Sequence, residues 1–228
     1  PADPRAAAVA ASLRVTQGQG APVLGGIVLA AGEARRMGGR PKPLIERDGV
    51  PLVRRVALAL LQAGVRDVVV VLGNQAAAIR SALAGLPVTG TVNADYRDGR
   101  VSSLRAGLSA LPADVGTVLV ALADQPLLEA ADVHELLQAF ADRGPARVTV
   151  PRVDGVRGHP IVFDAGVGRE ILQRDAGYGA RHWLQEHPSE LSWFDSGNAH
   201  YCVDLDCPED LARVERRYGC TLRWPAAA

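Results

Sequence analysis

The sequence predicts one α/β domain built on a parallel, doubly wound sheet, and three observations carry the prediction. From Gly25 onward, short apolar runs alternate with segments of helical spacing. The runs are apolar throughout, as strands buried on both faces are. The 228 residues suffice for one such domain and show no internal repeat. A composition of 48% hydrophobic and 22% charged residues is that of an ordinary globular chain.

Residues 1–24, rich in Ala, Pro, Gly and Gln without periodicity, are expected to be a poorly ordered extension. The domain is expected over 25–219, with 220–228 as a tail. Residues 27–31 (IVLAA) read as the first buried strand. Residues 51–63 read as a helix, with Arg54 and Arg55 off its apolar face and Gly64 as its stop. A strand (67–72), a helix (75–83) and a strand (87–92) follow. Residues 101–111 form a helix opened by serines, 117–122 (TVLVAL) a strand, 128–140 a helix and 147–151 a strand. Apolar strands with helical crossovers specify the parallel sheet. After Pro151 the rhythm changes. A strand at 158–163, helical stretches at 165–172 and 179–187, and short strands at 192–194 and 201–205 are expected. A last helix at 208–218 opens with Pro208, Glu209 and Asp210.

Lys plus Arg equals Asp plus Glu at 25 each, so no global field calls for nucleic acid or an anionic membrane. Lys42 is the only lysine. The three cysteines, Cys202, Cys207 and Cys220, neither suggest a disulfide framework nor complete a zinc site, and are expected as reduced thiols in a cytoplasmic protein. No apolar run approaches the roughly 20 residues that span a bilayer. Residues 6–13 are too short and mild for the core of a signal peptide.

Five stretches carry chemistry. In LAAGEARRMGGRPK, residues 29–42, a buried strand runs into a glycine loop bearing Arg35, Arg36 and Lys42. Such a loop offers backbone N–H groups and cations to a triphosphate, although its spacing is neither Walker A nor G-x-G-x-x-G. Asp124 stands at the C-terminal end of a buried strand, where a carboxylate can hold Mg²⁺ or simply open a turn. Asp204 and Asp206 alternate at a strand end; one could be a second metal ligand and the other a helix cap. Ser102 and Ser103 read as caps, with contact to a nucleobase as the alternative. His159, after Arg157 and Gly158, could meet a substrate phosphate or ring, or be structural. No Ser-His-Asp or Cys-His arrangement points to a covalent nucleophile.

Together these motifs resemble a known family. LAAGEARRMGGRPKPLI is similar to the LAAG-x-S-x-R-M-G-x-x-K signature of nucleotidyltransferases. NADYRDGRVSSLRAGL, ADQP, RGHPIVF and VDLDCPEDL resemble the molybdenum cofactor cytidylyltransferase branch and its relatives, in order from Gly26 to Tyr218. The resemblance implies a single-domain three-layer sandwich with a mostly parallel mixed sheet, Rossmann-like in its glycosyltransferase-A-like form. It implies a Mg²⁺-dependent enzyme that moves CMP from CTP to the phosphate of a molybdopterin-type cofactor. GTP, or a sugar phosphate acceptor, is the same chemistry with other substrates; a non-catalytic delivery partner for a molybdoenzyme or its chaperone is the reading in a different class. By resemblance the catalytic residues are Arg36, Lys42 and Asp124. Nucleotide contacts fall on Leu29, Ala30, Ala31, Gly32, Arg35, Gly38, Lys42, Gly73, Asn93, Ser102, Ser103 and Asp124. Acceptor contacts fall on Gln125, Arg157, Gly158, His159 and Arg181. The metal falls on Asp124 with Asp204, and Asp206 as second choice. Ala31, where guanylyltransferase relatives carry a second glycine, leans the donor toward CTP. The chain departs from the pattern at Ala34, where a serine is usual, and in DAGYGAR, residues 175–181, where an aspartate is displaced.

Overall fold

The computed structural model describes residues 22–225. In chain order its elements are β1 (Val23–Leu29), β2 (Glu46–Arg47), β3 (Val50–Pro51), α1 (Leu52–Gln62), β4 (Asp67–Leu72), α2 (Ala76–Ala82) and β5 (Val88–Val92). Next come α3 (Arg100–Ala110), β6 (Val115–Leu122), α4 (Ala130–Ala141), β7 (Val148–Val153), β8 (Val156–Arg157) and β9 (Ile161–Asp164). The chain closes with α5 (Ala165–Gln173), α6 (Ala180–Glu186), β10 (Leu191–Asp195), α7 (Pro208–Tyr218) and β11 (Leu222–Arg223).

The main sheet runs β10-β7-β9-β6-β1-β4-β5, with β8 paired to β7. β1 lies parallel between β4 and β6, while β9 is antiparallel to both β6 and β7. Successive residues of a strand face opposite sides, and both sides are covered. Val28, Val68, Val70 and Leu72 pack under α1, α2 and α4. Ile27, Val69, Val71 and Val120 pack under α3, α5 and α6. The result is the three-layer α/β sandwich with a mostly parallel sheet that the sequence predicts.

A third apolar cluster lies to one side. Met37, Ile45, Leu52, Leu127, Leu205, Val214 and Leu222 are buried together there, beside the small antiparallel sheet β11-β2-β3. β2 and β3 are joined by Asp48-Gly49, both at positive φ, and β7 and β8 by Asp154-Gly155 in the same conformation. That geometry suits the right-handed twist of a hairpin, and Asp-Gly supplies it at low strain.

Three expectations change. β1 opens at Val23, so residues 23 and 24 belong to the sheet and not to an extension; residues 1–21 lie outside the described residues. The expected tail contributes β11, paired to β2. No strand forms at 201–205: a 3-10 turn, Ala199–Cys202, leads into an unpaired extended segment. Its Leu205 N–H donates instead to the carbonyl of Asp124 (3.1 Å), beyond the end of β6. Among the described residues no helix is long and apolar enough to cross a membrane.

Candidate functional site

After β1 the chain pairs to one side through β4 and β5, then crosses back to place β6 on the other side of β1. Open α/β sheets bind ligands outside the carboxyl ends of the strands at such a switch. A cleft of ≈ 360 Å³ lies there. Its floor is stitched to the strands: Ala30 N donates to Val71 O (3.0 Å), Asn74 N to Ala31 O (3.3 Å) and Ala123 N to Leu29 O (3.1 Å). Of the residues singled out in the sequence, Leu29, Ala30, Ala31, Gly32, Arg35, Arg36, Lys42, Ser103, Asp124 and Asp206 line the cleft.

The loop owes its path to two left-handed turns. Ala34 has φ 50° and Gly38 and Gly39 have φ 65° and 76°. Alanine tolerates this conformation at some cost, glycine at none. Between them Met37 is buried in the third cluster, leaving Arg35 and Arg36 on the cleft side. Gly38 turns the chain and does not line the cleft, a correction to its expected role in binding.

The centre of the site is an ionic knot. Lys42 Nζ donates to Asp124 Oδ2 (3.0 Å) and to Asp206 Oδ1 (2.8 Å). Arg36 pairs with the other oxygen of Asp206 at 3.2 Å. Burial works against the Lys42 ammonium, but attraction to Asp124 and hydrogen bonds to both carboxylates outweigh it, and its pKa lies above the ordinary lysine value. The Lys42 hydrogen bond holds Asp206 below the usual carboxylate range. Asp204, first choice for the metal by resemblance, does not touch Lys42 or line the cleft. Its pKa is raised, by burial first and then by the charges of Asp124 and Asp206. The structure therefore puts Asp206, and not Asp204, on the same ammonium as Asp124, while Asp204 stands close enough to feel both charges. Neither aspartate caps α7: Asp210, from inside its first turn, accepts from Asp206 N (2.6 Å) and Cys207 N (2.9 Å).

Several expected residues serve the site from behind. Gly73 is outside the cleft lining, and a Cβ there would stand 2.7 Å from Ala31 O and from Tyr96 Cβ. Asn93 is buried; its Nδ2 donates to Ser102 Oγ (2.9 Å) and Ser103 Oγ (3.1 Å). Ser102 Oγ donates to Asp95 O (2.8 Å), so it ties down the turn before α3, whose N-cap is Gly99. The expectation of serine caps does not hold. Only Ser103 of the pair reaches the cleft.

The acceptor set also changes. Gln125 is 2% exposed. Its Nε2 donates to His159 O (2.9 Å) and Tyr201 O (3.4 Å) and its Oε1 accepts from Leu122 N (3.4 Å), so the side chain is turned to the neighbouring backbone and away from the cleft. Gly158 lacks a side chain because a Cβ would lie 2.6 Å from Tyr201 O. His159 N donates to the same carbonyl (2.8 Å). Burial, then the charges of Arg157 and Arg100, hold the His159 imidazole far below its ordinary pKa. It is neutral near pH 7 and offers a phosphate no charge. Arg157 and Arg181 are exposed and outside the cleft lining.

The sequence reading missed Glu33, Tyr96, Arg97, Gly99 and Arg100, which also line the cleft. Glu33 pairs with Arg35 (2.7 Å) and Arg97 (3.6 Å). Arg97 and Arg100 shortly precede the Ser-Ser stretch in sequence, and that proximity was the available signal.

The donor set fits a hard divalent cation. Among the described residues no three His, Cys, Asp or Glu side chains are close enough to hold a metal by themselves. Oxygens of Asp124 and Asp206 nevertheless converge on one ammonium. Mg²⁺ typically takes one or two carboxylates and draws its other ligands from water and phosphate.

The MobA-like NTP transferase domain matches residues 26–191. The chain is 34% identical over 205 residues to nicotine blue oxidoreductase of Paenarthrobacter nicotinovorans, covering 86% of this chain and 96% of that protein. It is 34% identical over 213 residues to the probable molybdenum cofactor guanylyltransferase of Natronomonas pharaonis, covering 84% and 96%. The crystal structure of Rv0371c from Mycobacterium tuberculosis H37Rv superposes with a TM-score of 0.69 at 25% identity, over 86% of this chain and 99% of that one. With the switch-point cleft, the glycine loop and the matched span in agreement, the chain belongs to the MobA-like NTP transferase family of nucleotidyltransferases.

Proposed function

We propose that the protein transfers a nucleoside monophosphate, CMP from CTP, to the terminal phosphate of a molybdopterin-type cofactor and releases pyrophosphate. The observation that carries the reading is the ionic knot: Lys42 between Asp124 and Asp206 at the end of a glycine loop. Backbone N–H groups of the loop, with Arg35, Arg36 and Lys42, neutralise the triphosphate. Asp124 and Asp206 are the residues that would hold Mg²⁺, which supplies charge neutralisation beside the α-phosphate. An oxygen of the acceptor phosphate forms the new bond to the α-phosphorus. The bond from that phosphorus to the bridging oxygen breaks, and pyrophosphate leaves with the electron pair. Catalysis on this scheme is positioning plus electrostatics, and no side chain is a nucleophile.

CTP is favoured because the Ala31 methyl, 3% exposed and packed beside Tyr96, narrows the wall of the cleft. GTP is the second reading, supported by the guanylyltransferase name of the Natronomonas relative. An oxidoreductase reading rests on the name of the Paenarthrobacter relative alone. The test incubates the protein with Mg²⁺, each NTP in turn, and molybdopterin or a sugar phosphate, and measures pyrophosphate. A parallel arm follows reduced nicotinamide absorbance. Pyrophosphate with CTP and molybdopterin is expected. Its absence with every NTP and acceptor would leave a binding or delivery protein, and consumption of reduced nicotinamide would move the protein to the oxidoreductase reading.

A further inference from the structure

We infer that Lys42, assisted by Arg36, holds the two metal-binding carboxylates closed to free metal, and that metal and nucleotide enter as a coupled pair by exchange of partners. The inference rests on the nucleotidyltransferase reading of the same cleft.

The argument begins with a charge count. Lys42 and Arg36 carry two positive charges and Asp124 and Asp206 two negative ones, joined by contacts of 2.8, 3.0 and 3.2 Å. The knot is neutral as it stands. The Lys42 and Asp124 side chains are only 13% and 16% exposed, so their pairing is shielded in a way that surface pairs are not. A divalent ion arriving alone must displace the ammonium and leave two cations facing it. A triphosphate arriving alone must draw both cations off the carboxylates, leaving Asp124 and Asp206 unpaired beside Asp204. Each half-step leaves Lys42 or Asp124 without its partner at low solvent exposure, which is costly. When the two arrive together, the carboxylates take the metal and the cations take the phosphates, and no charge is stranded.

The backbone suits the exchange. Lys42 stands between Pro41 and Pro43 on a short 3-10 turn, Lys42–Leu44, whose Ile45 cap is buried in the third cluster. The main chain is held while the flexible four-carbon stem swings. Lys42 lines the same cleft as Gly32, Arg35 and Arg36, so its ammonium exchanges partners within one cavity. Arg36, 71% exposed, moves more freely. By linkage, each ligand must then raise the affinity for the other by the same factor.

Arg100 provides a control. Its charge is felt by Asp204 and Asp206, yet it makes no hydrogen bond to either. Mn²⁺ serves as the probe, titrated by electron paramagnetic resonance against the wild type, Lys42→Met and Arg100→Gln. Each is measured without nucleotide and then with CTP, allowing for the Mn²⁺–CTP complex in solution. Circular dichroism confirms folding, and Lys42→Gln replaces Lys42→Met should the latter fail to fold. In the wild type, CTP should tighten Mn²⁺ binding by roughly 10- to 100-fold, with the reciprocal effect on CTP. Lys42→Met should bind Mn²⁺ alone about tenfold more tightly than the wild type and lose most of the coupling. Arg100→Gln should change Mn²⁺ affinity by less than roughly threefold. Equal affinity of wild type and Lys42→Met for Mn²⁺ alone overturns the inference. So does a gain in Arg100→Gln as large as that in Lys42→Met, which would reduce the effect to a general field. CTP failing to bind with or without Mn²⁺ overturns the CTP reading instead, while the metal-only comparison still decides the role of Lys42.

Discussion

Replacing Gly73 with alanine adds one methyl group behind the nucleotide loop. Gly73 is outside the left-handed region, so the cost is steric and not conformational. The new Cβ would lie 2.7 Å from Ala31 O, 2.7 Å from Tyr96 Cβ and 2.8 Å from Ala31 Cβ, against an ordinary contact beginning near 3.4 Å. Relief requires a shift of about 0.7 Å (3.4 minus 2.7). Ala31 follows β1 and Tyr96 precedes α3, so movement of one alone does not clear the methyl. Overpacking of this kind costs about 1–3 kcal/mol. A displacement of ~1 Å in a positioning element can cost ~100-fold in rate, so a loss of roughly ten- to a hundredfold in kcat/KM is expected. Urea unfolding and NTP titration measure the two effects. Gly32→Ala is the matched comparison, because its Cβ meets nothing within 4 Å. It should leave unfolding unchanged and weaken only NTP binding. Wild-type stability and NTP affinity in Gly73→Ala would refute the reasoning.

Two further predictions follow. Leu205 is fully buried between the two late aspartates, so Leu205→Ala should lower unfolding stability by about 2–5 kcal/mol. It should also weaken metal binding, read by Mn²⁺ titration, although the side chain itself touches no ligand. His159 has its folded pKa depressed below the ordinary unfolded value. Between those two values the unfolded state binds the extra proton, so stability is complete above about pH 6.5 and falls as the pH drops through the window below it. The wild type should therefore lose up to about 1.4 kcal/mol per pH unit from about pH 6 to 4 that His159→Gln does not lose. Identical pH-stability profiles for the two proteins would contradict the neutral imidazole.

The sheet was legible because doubly covered parallel strands are apolar without interruption, as DVVVVL and TVLVAL show. The glycine loop, Lys42 and Asp124 were legible because strand ends in such folds collect ligands. β2, β3 and β8 escaped because two-residue strands carry no periodicity, although Asp48-Gly49 and Asp154-Gly155 were hairpin signals in plain view. The 201–205 strand failed because alternation along VDLD also fits an extended segment held by one hydrogen bond to Asp124. Gln125 was misplaced because a polar side chain at a strand end can face a ligand or the backbone of its neighbours. Only tertiary contacts decide between these, and here they supply carbonyls from His159 and Tyr201. Arg97 and Arg100 were missed because exposed arginines are common in this chain, and only their closeness in sequence to the Ser-Ser stretch set these two apart.

The third apolar cluster gives the site a common foundation. Met37 and Ile45 come from the glycine loop and its sequel, Leu127 from just beyond Asp124, and Leu205 from between the late aspartates. Val214 of α7 and Leu222 of β11 complete it, and Arg40 rests over the Trp224 ring at 4.0 Å. The three stretches that carry the chemistry are thus bolted to one block that excludes the bulk of the sheet. Among the described residues none beyond Asp206 lines the cleft, yet Asp210 holds the Asp206 backbone and this block bears on how rigidly the charges are held. Changes elsewhere in the sandwich can alter what the cleft receives while this block keeps Lys42, Asp124 and Asp206 in register.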